Sequence, residues 1–454
     1  MKLNEIHLPA ACGEIIRKLN DSGHAAYAVG GCIRDSLLGR TPHDWDITTS
    51  AVPQEVLSLF PGQIAHTAGL KHGTVALLLD GEVYEVTTFR VDGTYSDSRR
   101  PDSVRFTSNI TEDLARRDFT VNAMAYNDAE GLIDPFGGAE DLKKRIVRCV
   151  GDPERRFSED ALRLFRAVRF SAELGFSIEP ETLTALKAGS EKISGIAVER
   201  IFEELKRTAA APQAAAALRA APELLFAAVP ELRALEDVPQ NTPYHCYDVW
   251  EHTLHALEFS PRDAVTGLAI LFHDTGKKAC RTTDGNGRDH FFGHAEKSAE
   301  ITRLALQQLH ADNATVSEVT QLVLLHDTPF DMMRSVKFRR LLAKIGFSSF
   351  FRLMDVARAD SAAHAPEFVA ARLHKLEEVE KEAKRLQSED FCLTLAQLKL
   401  DGKALMELGL SGPSVGEALH VLLDEVIDGR LENDLEKLLR RAEKFAKKRQ
   451  QAEK

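Results

Sequence analysis

The sequence lacks paired cysteines and long apolar runs. Its six cysteines are scattered over 454 residues and form no Cys-x-x-Cys pair, which argues against a disulfide framework or a zinc ribbon and favours reduced thiols in a cytosol. There is no run of about 18 apolar residues, and no basic segment followed by an apolar one at the N-terminus. We therefore expect a cytoplasmic protein that has no membrane partner.

Proline is also scarce, with 17 residues, while 44% of the chain is hydrophobic and 28% is charged. This composition is that of an ordinary soluble globular protein. Because one core rarely supports so long a chain, we expect about two to four domains. The formal net charge of −11 does not exclude nucleic acid as a partner, since local fields matter more than total charge. Basic clusters between positions 99 and 169 could face phosphate groups.

The most informative segment is YAVGGCIRDSLLGRTPHDWDITT at 27–49. Asp44 and Asp46 are separated by one residue, so in an extended strand they would share a face, as carboxylates that hold divalent cations must. The upstream pair Gly30-Gly31 would let backbone amides approach phosphate closely. Two unrelated acids at a solvated strand end would explain Asp-x-Asp alone, but the glycines and the segments downstream favour a metal-dependent nucleotidyl transferase.

Apolar patterning predicts a small mixed sheet with helices on it through about residue 150. Two of its strands, GTVALLLD and EVYEVTTFR, are joined at Asp80-Gly81, a strong hairpin signal. Glu85 on the second strand is expected to supply a third carboxylate for two Mg²⁺ ions about 3.5–4 Å apart, although it could be a surface strand residue. From 153 onward the chain predicts almost only helix. The expected fold class is an α+β head followed by a long all-α region.

Two charged segments follow the hairpin. Residues 92–106 are rich in Gly, Ser and Asp and predict a long mobile loop. The next segment, EDLARRDFTVNAMAYN, places Arg116, Arg117 and Asp118 before an apolar run predicted to be helical, with Asn122 one turn later. Two guanidiniums beside a carboxylate could bind a triphosphate and a ribose hydroxyl together, although a charged helix N-terminus would look similar.

The segment FSEDALRLFRAVRFSAELGF at 157–176 predicts one amphipathic helix. Its polar stripe carries Glu159, Asp160, Arg163 and Arg166, a pattern that a salt-bridged helix surface would also give. A carboxylate beside a guanidinium offers the acceptor and the donors that the Watson–Crick edge of a base requires. The stripe is therefore a candidate base-recognition surface.

Taken in order and spacing, GGCIRDSLLGRTPHDWDITT, GLKHGTV, RRDFTVNAM and EDALRLFRAVRF resemble the motifs of class II tRNA nucleotidyltransferases, which include CCA-adding enzymes and bacterial poly(A) polymerases. The resemblance covers residues 1–210. It implies that Asp44 and Asp46 hold the catalytic metals, and that the loop at 92–106 is needed to add the terminal A. The implied nucleotide contacts are Gly30, Gly31 and Arg34 with the triphosphate; Arg116, Arg117, Asp118 and Asn122 with sugar and phosphates; Asp160 and Arg163 with cytosine and then adenine; and Arg166 and Arg169 with phosphate.

Residues 244–364 contain a second candidate site, because histidines and aspartates recur there on successive helical segments. Imidazole and carboxylate together favour a divalent transition metal or a Mg²⁺-type site. The order resembles the HD phosphohydrolase superfamily, whose pattern is His, then His-Asp, then a distal Asp; Lys277 after the His-Asp pair also fits it. Any single histidine here could be a core residue, and such a domain could serve only as a scaffold. The candidate ligands are His252, His273, Asp274, His294, His326 and Asp360.

The last part of the chain again predicts helices, one of them opened by Gly412-Pro413. A glycine turn at a helix start could bind a backbone phosphate or be a simple helix-turn-helix. The segment resembles the tail that contacts tRNA in some CCA-adding enzymes. The predicted domains are a catalytic head at 1–150, a helical neck at 151–215, a metal-binding HD domain at 216–375 and a tRNA-binding tail at 376–454.

From these motifs we expect template-independent addition of C, C and A to the 3′ end of tRNA, with CTP, ATP and two Mg²⁺ ions. A poly(A) polymerase is the nearest alternative, but the stretch at 62–75 lacks the basic G-[RK]-[RK]-F element of those enzymes. An enzyme that adds only A shares the motif residues and stays open. From another class, the chain could be chiefly an HD-type metal phosphohydrolase whose head binds RNA.

Overall fold

The computed structural model describes residues 3–93, 103–330 and 336–452. The chain divides into two compact units, Met1–Arg233 with Ala305–Ala311, and Ala234–Leu304 with Asp312–Lys454. The finer division into head, neck, HD domain and tail stays a prediction. Within the described part of the chain, no helix has the length and apolar character that crossing a bilayer requires.

The first unit begins with a mixed sheet, as the sequence predicts. Seven strands form it in the order β3-β4-β5-β2-β1-β8-β9, and β6 and β7 pair separately. All the neighbours in this sheet are antiparallel except β2 and β5, which are parallel. The strands are β1 (Ala26–Val29), β2 (Ile47–Thr49), β3 (Ile64–His66), β4 (Thr74–Leu79), β5 (Glu82–Thr88), β6 (Arg90–Asp92), β7 (Val104–Phe106), β8 (Ala125–Asn127) and β9 (Gly131–Ile133).

The predicted hairpin turn joins β4 to β5. Asp80 and Gly81 have φ angles of 51° and 82°, and Leu79 pairs directly with Glu82 across the two-residue loop. Positive φ at both central positions is the geometry that matches the twist of the flanking strands, and Asp-Gly tolerates it best. This turn therefore fixes the register that places Glu85.

Helices cover the sheet and continue beyond it. Those of the first unit are α1 (Ala10–Asp21), α2 (Gly31–Leu37), α3 (Pro53–Leu59), α4 (Ile110–Ala115), α5 (Gly138–Lys144), α6 (Pro153–Glu159), α7 (Leu162–Leu174), α8 (Pro180–Gly189), α9 (Val198–Ala209), α10 (Ala214–Ala220) and α11 (Pro222–Ala228). A short parallel pair, β10 (Ile146–Val147) and β11 (Ser177–Ile178), lies between them in the chain. Buried apolar side chains from β1, α4 and β8 form one of the cores of this unit.

Three predicted elements differ from the observed ones. The single helix at 157–176 is interrupted, because Asp160 is extended at φ −140° and its carboxylate accepts a hydrogen bond from the Leu162 backbone N–H; a short acidic side chain can compete with the helical backbone in this way. The apolar run after Asp118 is a 3₁₀ turn, Thr120–Asn122, followed by β8, since pairing with β1 overrides its helical pattern. The loop at 92–106 begins and ends in the paired strands β6 and β7, and its residues 94–102 lie outside the described residues.

From Ala234 onward the chain is almost entirely helical, as expected. Its elements are α12 (Val249–Glu258), α13 (Ala264–Phe272), α14 (Lys277–Cys280), β12 (Thr282–Thr283), β13 (Asp289–His290), α15 (His294–Gln308), α16 (Asn313–Leu325), α17 (Val336–Ala362), α18 (Pro366–Ser388), α19 (Gly402–Glu407), α20 (Pro413–Ile427) and α21 (Leu435–Ala452). The backbone of α17 is broken at Gly346. The last helices enclose a separate apolar core around Leu405, Leu422 and Leu438.

Candidate functional site

The glycine turn after β1 lies against a guanidinium. Gly30 has φ +87° and ψ −129° and precedes the first residue of α2. A Cβ atom on Gly30 would lie 2.9 Å from Nη1 of Arg117. Glycine therefore does two things here: it adopts a backbone conformation that L side chains rarely adopt, and it leaves room for the Arg117 side chain beside the turn.

The two neighbouring acids lie immediately before β2, which differs from the predicted position inside the strand. The carbonyl oxygen of Asp46 accepts a hydrogen bond of 2.9 Å from the Val29 backbone N–H. Ile47 pairs with Val86 in the parallel ladder, so Asp46 and Glu85 occupy the preceding positions of adjacent strands. In a parallel pair such positions share a face of the sheet. The register thus brings the third predicted carboxylate to the first two.

The charges of these three acids act on one another. Loss of hydration raises the pKa of Asp46 to about 6, and the charges of Asp44 and Glu85 add to this rise while Arg117 opposes it. The three acids are not among the described groups whose ligand atoms all lie within 4.8 Å of one another. Their mutual repulsion is nevertheless what a bound divalent cation would relieve, and carboxylate oxygens suit Mg²⁺. The donor set therefore fits the expected ion.

The buried carboxylate of Asp113, which the sequence motifs did not indicate, lies close to both of the paired arginines. Asp113 is fully buried and accepts hydrogen bonds from the Thr48 hydroxyl at 3.1 Å and from Nε of Arg116 at 2.9 Å. Arg117 lies 3.9 Å from the same carboxylate. The buried Nε of Arg117 has no hydrogen-bond partner among the described residues, and 20% of the Arg117 side chain is exposed, so its guanidinium charge can act on an anionic ligand. The only sequence signal was the spacing of three and four residues from Asp113 to the two arginines.

The next predicted residues form a continuous hydrogen-bonded chain between α2 and α7. Arg34 Nη1 donates to Asn122 Oδ1 at 2.7 Å, and Asn122 Nδ2 donates to Asp118 Oδ1 at 3.2 Å. The other oxygen of Asp118 accepts from Arg166 Nε at 2.7 Å. Although burial would raise the pKa of Asp118, the guanidiniums of Arg166 and Arg163 lower it to about 2. Asp118 is therefore a fixed negative charge within a cationic environment.

A cavity of about 250 Å³ opens beside this chain. Five arginines outnumber two aspartates in its walls, so the cavity attracts anions. Six of its eight lining residues belong to the predicted nucleotide contacts, and Leu162 and Arg200 were not predicted. The walls comprise Arg116, Arg117, Asp118, Asp160, Leu162, Arg163, Arg166 and Arg200.

The predicted base-recognition pair lies in this cavity. Arg163 is buried and donates to Glu159 Oε2 at 2.8 Å and to the backbone carbonyl of Arg116 at 3.0 Å. Asp160 lies at the break between α6 and α7 and forms an ion pair of 3.2 Å with Arg200. Both groups are held in place by protein contacts, which is what selective recognition of a planar base needs.

Arg169 differs from its prediction. It does not line the cavity, and only 2% of it is exposed. Its guanidinium forms ion pairs with Glu173 at 2.7 Å and with Glu204, and lies over the ring of Phe170. On α7 this arginine points to the face that packs on α9, so Glu173 and Glu204 neutralise its charge within the protein. We therefore assign it a packing role in place of the predicted phosphate contact.

The second candidate site lies in the second unit, where the structure brings all six predicted metal ligands together. Asp274 is central: its Oδ2 lies 3.1 Å from His273 Nε2 and 3.8 Å from His252 Nε2, and its Oδ1 lies 3.6 Å from His294 Nε2 and 3.7 Å from His326 Nε2. The sixth residue, Asp360, lies 2.9 Å from His252 Nε2. Lys277 Nζ also reaches Asp274, at 2.7 Å.

The hydrogen bonds of these histidines orient their Nε2 atoms inward. The Nδ1 atoms of His273, His294 and His326 lie 2.6, 2.8 and 2.7 Å from backbone carbonyl oxygens. A carbonyl cannot donate, so each Nδ1 carries a proton, and Nε2 presents a lone pair when the ring is neutral. The Nε2 atoms of His294 and His326 then face each other at 3.2 Å. Two such lone pairs repel unless a proton or a metal ion lies between them, and this geometry fits a transition-metal site.

Two histidines beside this cluster were missed. His245, His252 and His364 form a further group whose candidate ligand atoms lie within 4.8 Å of one another. Burial lowers the pKa of His245 to about 2, and neighbouring positive groups contribute, so its ring is neutral at pH 7. His364 lies four residues after Asp360, a helical spacing that could have indicated it; His245 precedes its helix and gave no such signal.

Comparison with known proteins places these sites in context. The family model described as "Poly A polymerase head domain" matches residues 26–148, and "Probable RNA and SrmB- binding site of polymerase A" matches residues 175–235. Curated CCA-adding enzymes match over the first part of the chain: that of Geobacillus thermodenitrificans is 52% identical over 204 residues, 45% of this chain and 50% of its own length. That of Lactobacillus helveticus is 50% identical over 211 residues, 46% and 52% of the two chains. These matches span about half the length of the curated relatives.

Solved structures match over nearly the whole chain. The crystal structure of the Bacillus stearothermophilus CCA-adding enzyme in complex with CTP is 31% identical with a TM-score of 0.73, over 97% of this chain and 98% of that one. The Thermotoga maritima CCA-adding enzyme complexed with tRNA is 21% identical with a TM-score of 0.58, over 96% of each chain, and supports the fold alone.

Proposed function

Because the chain belongs to the family of CCA-adding enzymes, we propose that it adds C, C and A to the 3′ end of tRNA, with CTP and ATP as substrates. In this reaction the 3′ hydroxyl of the RNA attacks the α-phosphate of the nucleotide and pyrophosphate leaves. No nucleic-acid template is required, since the protein itself selects the base.

The observation that carries this proposal is the cationic cavity in which Asp160 and Arg163 lie beside Arg117 and Asp118. A carboxylate and a guanidinium can accept from the amino group of cytosine or adenine and donate to the neighbouring ring nitrogen. Arg117, whose side chain lines the cavity, would bind the triphosphate. Asp118 would accept from a ribose hydroxyl. The cavity thus offers partners for each part of a nucleoside triphosphate.

The two acids before β2 and the one on β5 supply the catalytic chemistry in this proposal. Asp44, Asp46 and Glu85 would hold two Mg²⁺ ions, which supply a lowered pKa of the attacking hydroxyl and charge neutralisation of the departing pyrophosphate. Gly30 and Arg34 would position the triphosphate toward these acids, since the glycine turn lies against Arg117. The role of the protein is then placement of two reactants and neutralisation of charge.

The test uses labelled CTP and ATP with tRNA transcripts that end in the discriminator base, in -C and in -CC. Full CCA synthesis predicts C addition to the first two substrates and A addition to the third. Extension of the -CC transcript alone would indicate an enzyme that adds only A, and unlimited A addition would indicate a poly(A) polymerase. Asp44→Ala and Asp46→Ala should abolish all extension, and an absence of extension by the unaltered protein would refute the proposal.

We also infer a second function, metal-dependent hydrolysis of phosphate esters at the histidine cluster. The observation that favours it is the pair of facing Nε2 atoms of His294 and His326, with Asp274 directed at both. A divalent transition metal held there would activate water for attack on phosphorus. The arrangement resembles that of HD phosphohydrolases, and Lys277 beside Asp274 supplies a positive charge near the site.

Substitutions separate the two functions. His273→Ala with Asp274→Ala should abolish binding of Ni²⁺ or Zn²⁺, measured by calorimetry, together with any hydrolysis of p-nitrophenyl phosphate. The same variant should retain nucleotide addition, which Asp44→Ala should lose. Metal binding without hydrolysis would indicate that the histidine cluster has only a structural role. Hydrolysis that the substitutions leave unaffected would refute the assignment.

For the tail, we propose contact with the tRNA body. Helix α21 exposes Lys444, Lys447 and Lys448 on its surface, and lysines of this kind neutralise RNA phosphates in a salt-dependent way. Their simultaneous replacement by glutamine should weaken tRNA binding in a filter assay and reduce its salt dependence. Unchanged affinity and salt dependence would exclude α21 from the tRNA contact.

A further inference from the structure

The carboxylate of Asp160 is fixed from two sides. The backbone N–H of Leu162 donates to its Oδ1 at 3.0 Å, and Nη2 of Arg200 donates to its Oδ2 at 3.2 Å. The first contact comes from the turn in which Asp160 itself lies. The second comes from α9, a separate helix that packs on α7. The orientation of this carboxylate therefore depends on a residue 40 positions away in the chain.

The other arginines of the cavity have carboxylate partners of their own. Arg163 forms its ion pair with Glu159, at 2.8 Å. Arg166 forms its ion pair with Asp118, at 2.5 Å. Arg200 lines the same cavity and is half-buried, with 27% of its side chain exposed. Arg200 is thus placed to set the position of Asp160 while the remaining guanidiniums face other groups.

The position of this carboxylate matters because of what the four bases present on their edges. Cytosine and adenine carry an amino group where uracil and guanine carry a carbonyl oxygen. A carboxylate accepts from the amino group and repels the carbonyl oxygen. Discrimination of this kind requires a fixed carboxylate, since one that can rotate away from the carbonyl avoids the repulsion.

We propose that Arg200 is a positioning residue for nucleotide selection. By holding Asp160 Oδ2, it keeps the carboxylate directed at the base, so that CTP and ATP are accepted while UTP and GTP are rejected. The proposal rests on the function proposed above and adds to it the residue that enforces the choice. Arg200 does not itself contact the base in this account; it acts through Asp160.

The test measures kcat/KM for CTP and for UTP on a transcript that ends in the discriminator base, and for ATP and GTP on one that ends in -CC. Arg200→Ala should lower the preference for CTP over UTP and for ATP over GTP by roughly tenfold or more, the effect of losing one charge-assisted contact. Arg200→Lys keeps the charge and should recover part of each preference.

The matched control is Arg207→Ala. Arg207 lies on the same helix, is 55% exposed and pairs with Glu173, so its removal should leave both preferences unchanged. Thermal unfolding of each variant, and equilibrium binding of CTP and UTP by calorimetry, separate selection from folding. If Arg200→Ala lowers kcat/KM for CTP and UTP equally, the arginine is only structural and the proposal is overturned. If the unaltered protein extends no transcript, it is the proposed function that fails.

Discussion

At the scale of single residues, the head site is a balance of like and opposite charges. Asp46 is pushed toward its protonated form by lost hydration and by Asp44, while Asp118, which is buried, is held ionised by two guanidiniums. The same residue type therefore behaves oppositely within one site because of its neighbours. A group that repels its neighbours when ionised is suited to binding a cation, and one that is already neutralised is suited to orienting hydrogen bonds.

The raised pKa of Asp46 predicts a pH dependence of stability in metal-free protein. The folded state holds the proton up to about pH 6, whereas the unfolded chain loses it near 3.8. Between these values the folded state binds more protons, so stability should fall as pH rises through this window. Asp46→Asn should remove this component, so that its melting temperature relative to the unaltered protein is higher at pH 7 than at pH 4. Thermal melts in EDTA measure this.

A surface control for this experiment is Asp21→Asn, at the exposed end of α1. It should change the melting temperature by a similar small amount at both pH values. Mg²⁺ should also raise the melting temperature of the unaltered protein at pH 7 toward that of the Asp46 variant, since the cation relieves the repulsion. Parallel melting profiles for the Asp46 variant and the unaltered protein would contradict the account.

The buried carboxylate of Asp113 gives a second prediction at this scale. Asp113→Asn would leave Arg116 and Arg117 without their shared counter-charge inside the protein. Breaking a buried ion pair on one side typically costs about 3–5 kcal/mol, and the freed guanidiniums should bind nucleotide less well. Urea unfolding and KM for CTP measure the two effects. The adjacent Glu112→Gln, whose carboxylate is partly exposed, should change stability by less than about 0.5 kcal/mol; equal effects of the two substitutions would exclude the role of Asp113.

At the scale of elements, the sequence predicted the features that neighbouring residues alone determine. The hairpin at Asp80-Gly81 has the predicted turn because two residues with positive φ suffice to define it. The break at Asp160 was not predicted, since the amphipathic pattern of 157–176 runs through α6 and α7 alike. The segment after Asp118 became β8 through pairing with β1, a contact that no local window contains.

The residues of the candidate sites show the same difference between local signals and long-range contacts. Motif order predicted the candidate nucleotide and metal residues that share one segment or one spacing. It did not reveal Asp113, whose partner Thr48 lies 65 positions away, or Arg200, whose partner Asp160 lies 40 positions away, nor the burial of Arg169 against α9. Residues that act by holding another side chain are therefore the ones that the sequence alone leaves out.

The turn between β1 and α2 gives a prediction at the scale of elements. Gly30→Ala would place a Cβ 2.9 Å from Arg117 Nη1 on a backbone at φ +87°. The strained conformation should cost about 1–3 kcal/mol, and displacement of the guanidinium should raise KM for CTP and ATP. Denaturant unfolding and steady-state kinetics measure both. Gly13→Ala is the matched control, because Gly13 lies within α1 with nothing inside 4 Å of the added Cβ, and alanine there should stabilise the helix. Similar losses in both variants would contradict a specific role for the turn.

At the scale of the whole molecule, two candidate sites of different composition occupy one acidic chain. A net charge of −11 coexists with a cavity walled by five arginines, so total charge does not predict what the head attracts. The two proposed metal centres also differ in kind. Carboxylate oxygens at Asp44 and Asp46 suit Mg²⁺, while the imidazoles around Asp274 suit a transition metal.

This difference predicts that the two centres respond to different ions. The unaltered protein, freed of metal by a chelator, should gain thermal stability on addition of Ni²⁺ or Zn²⁺, by about 2.7 kcal/mol when the ion is at 100 times its dissociation constant. Because the Nε2 atoms of His294 and His326 face each other at 3.2 Å, replacing both by alanine should abolish that gain. A variant with Asp44 and Asp46 replaced by asparagine should keep it, since these acids belong to the other unit. Differential scanning calorimetry measures the shift. A gain that survives in the histidine variant, or disappears in the aspartate variant, would show that the imidazole cluster is not the transition-metal site.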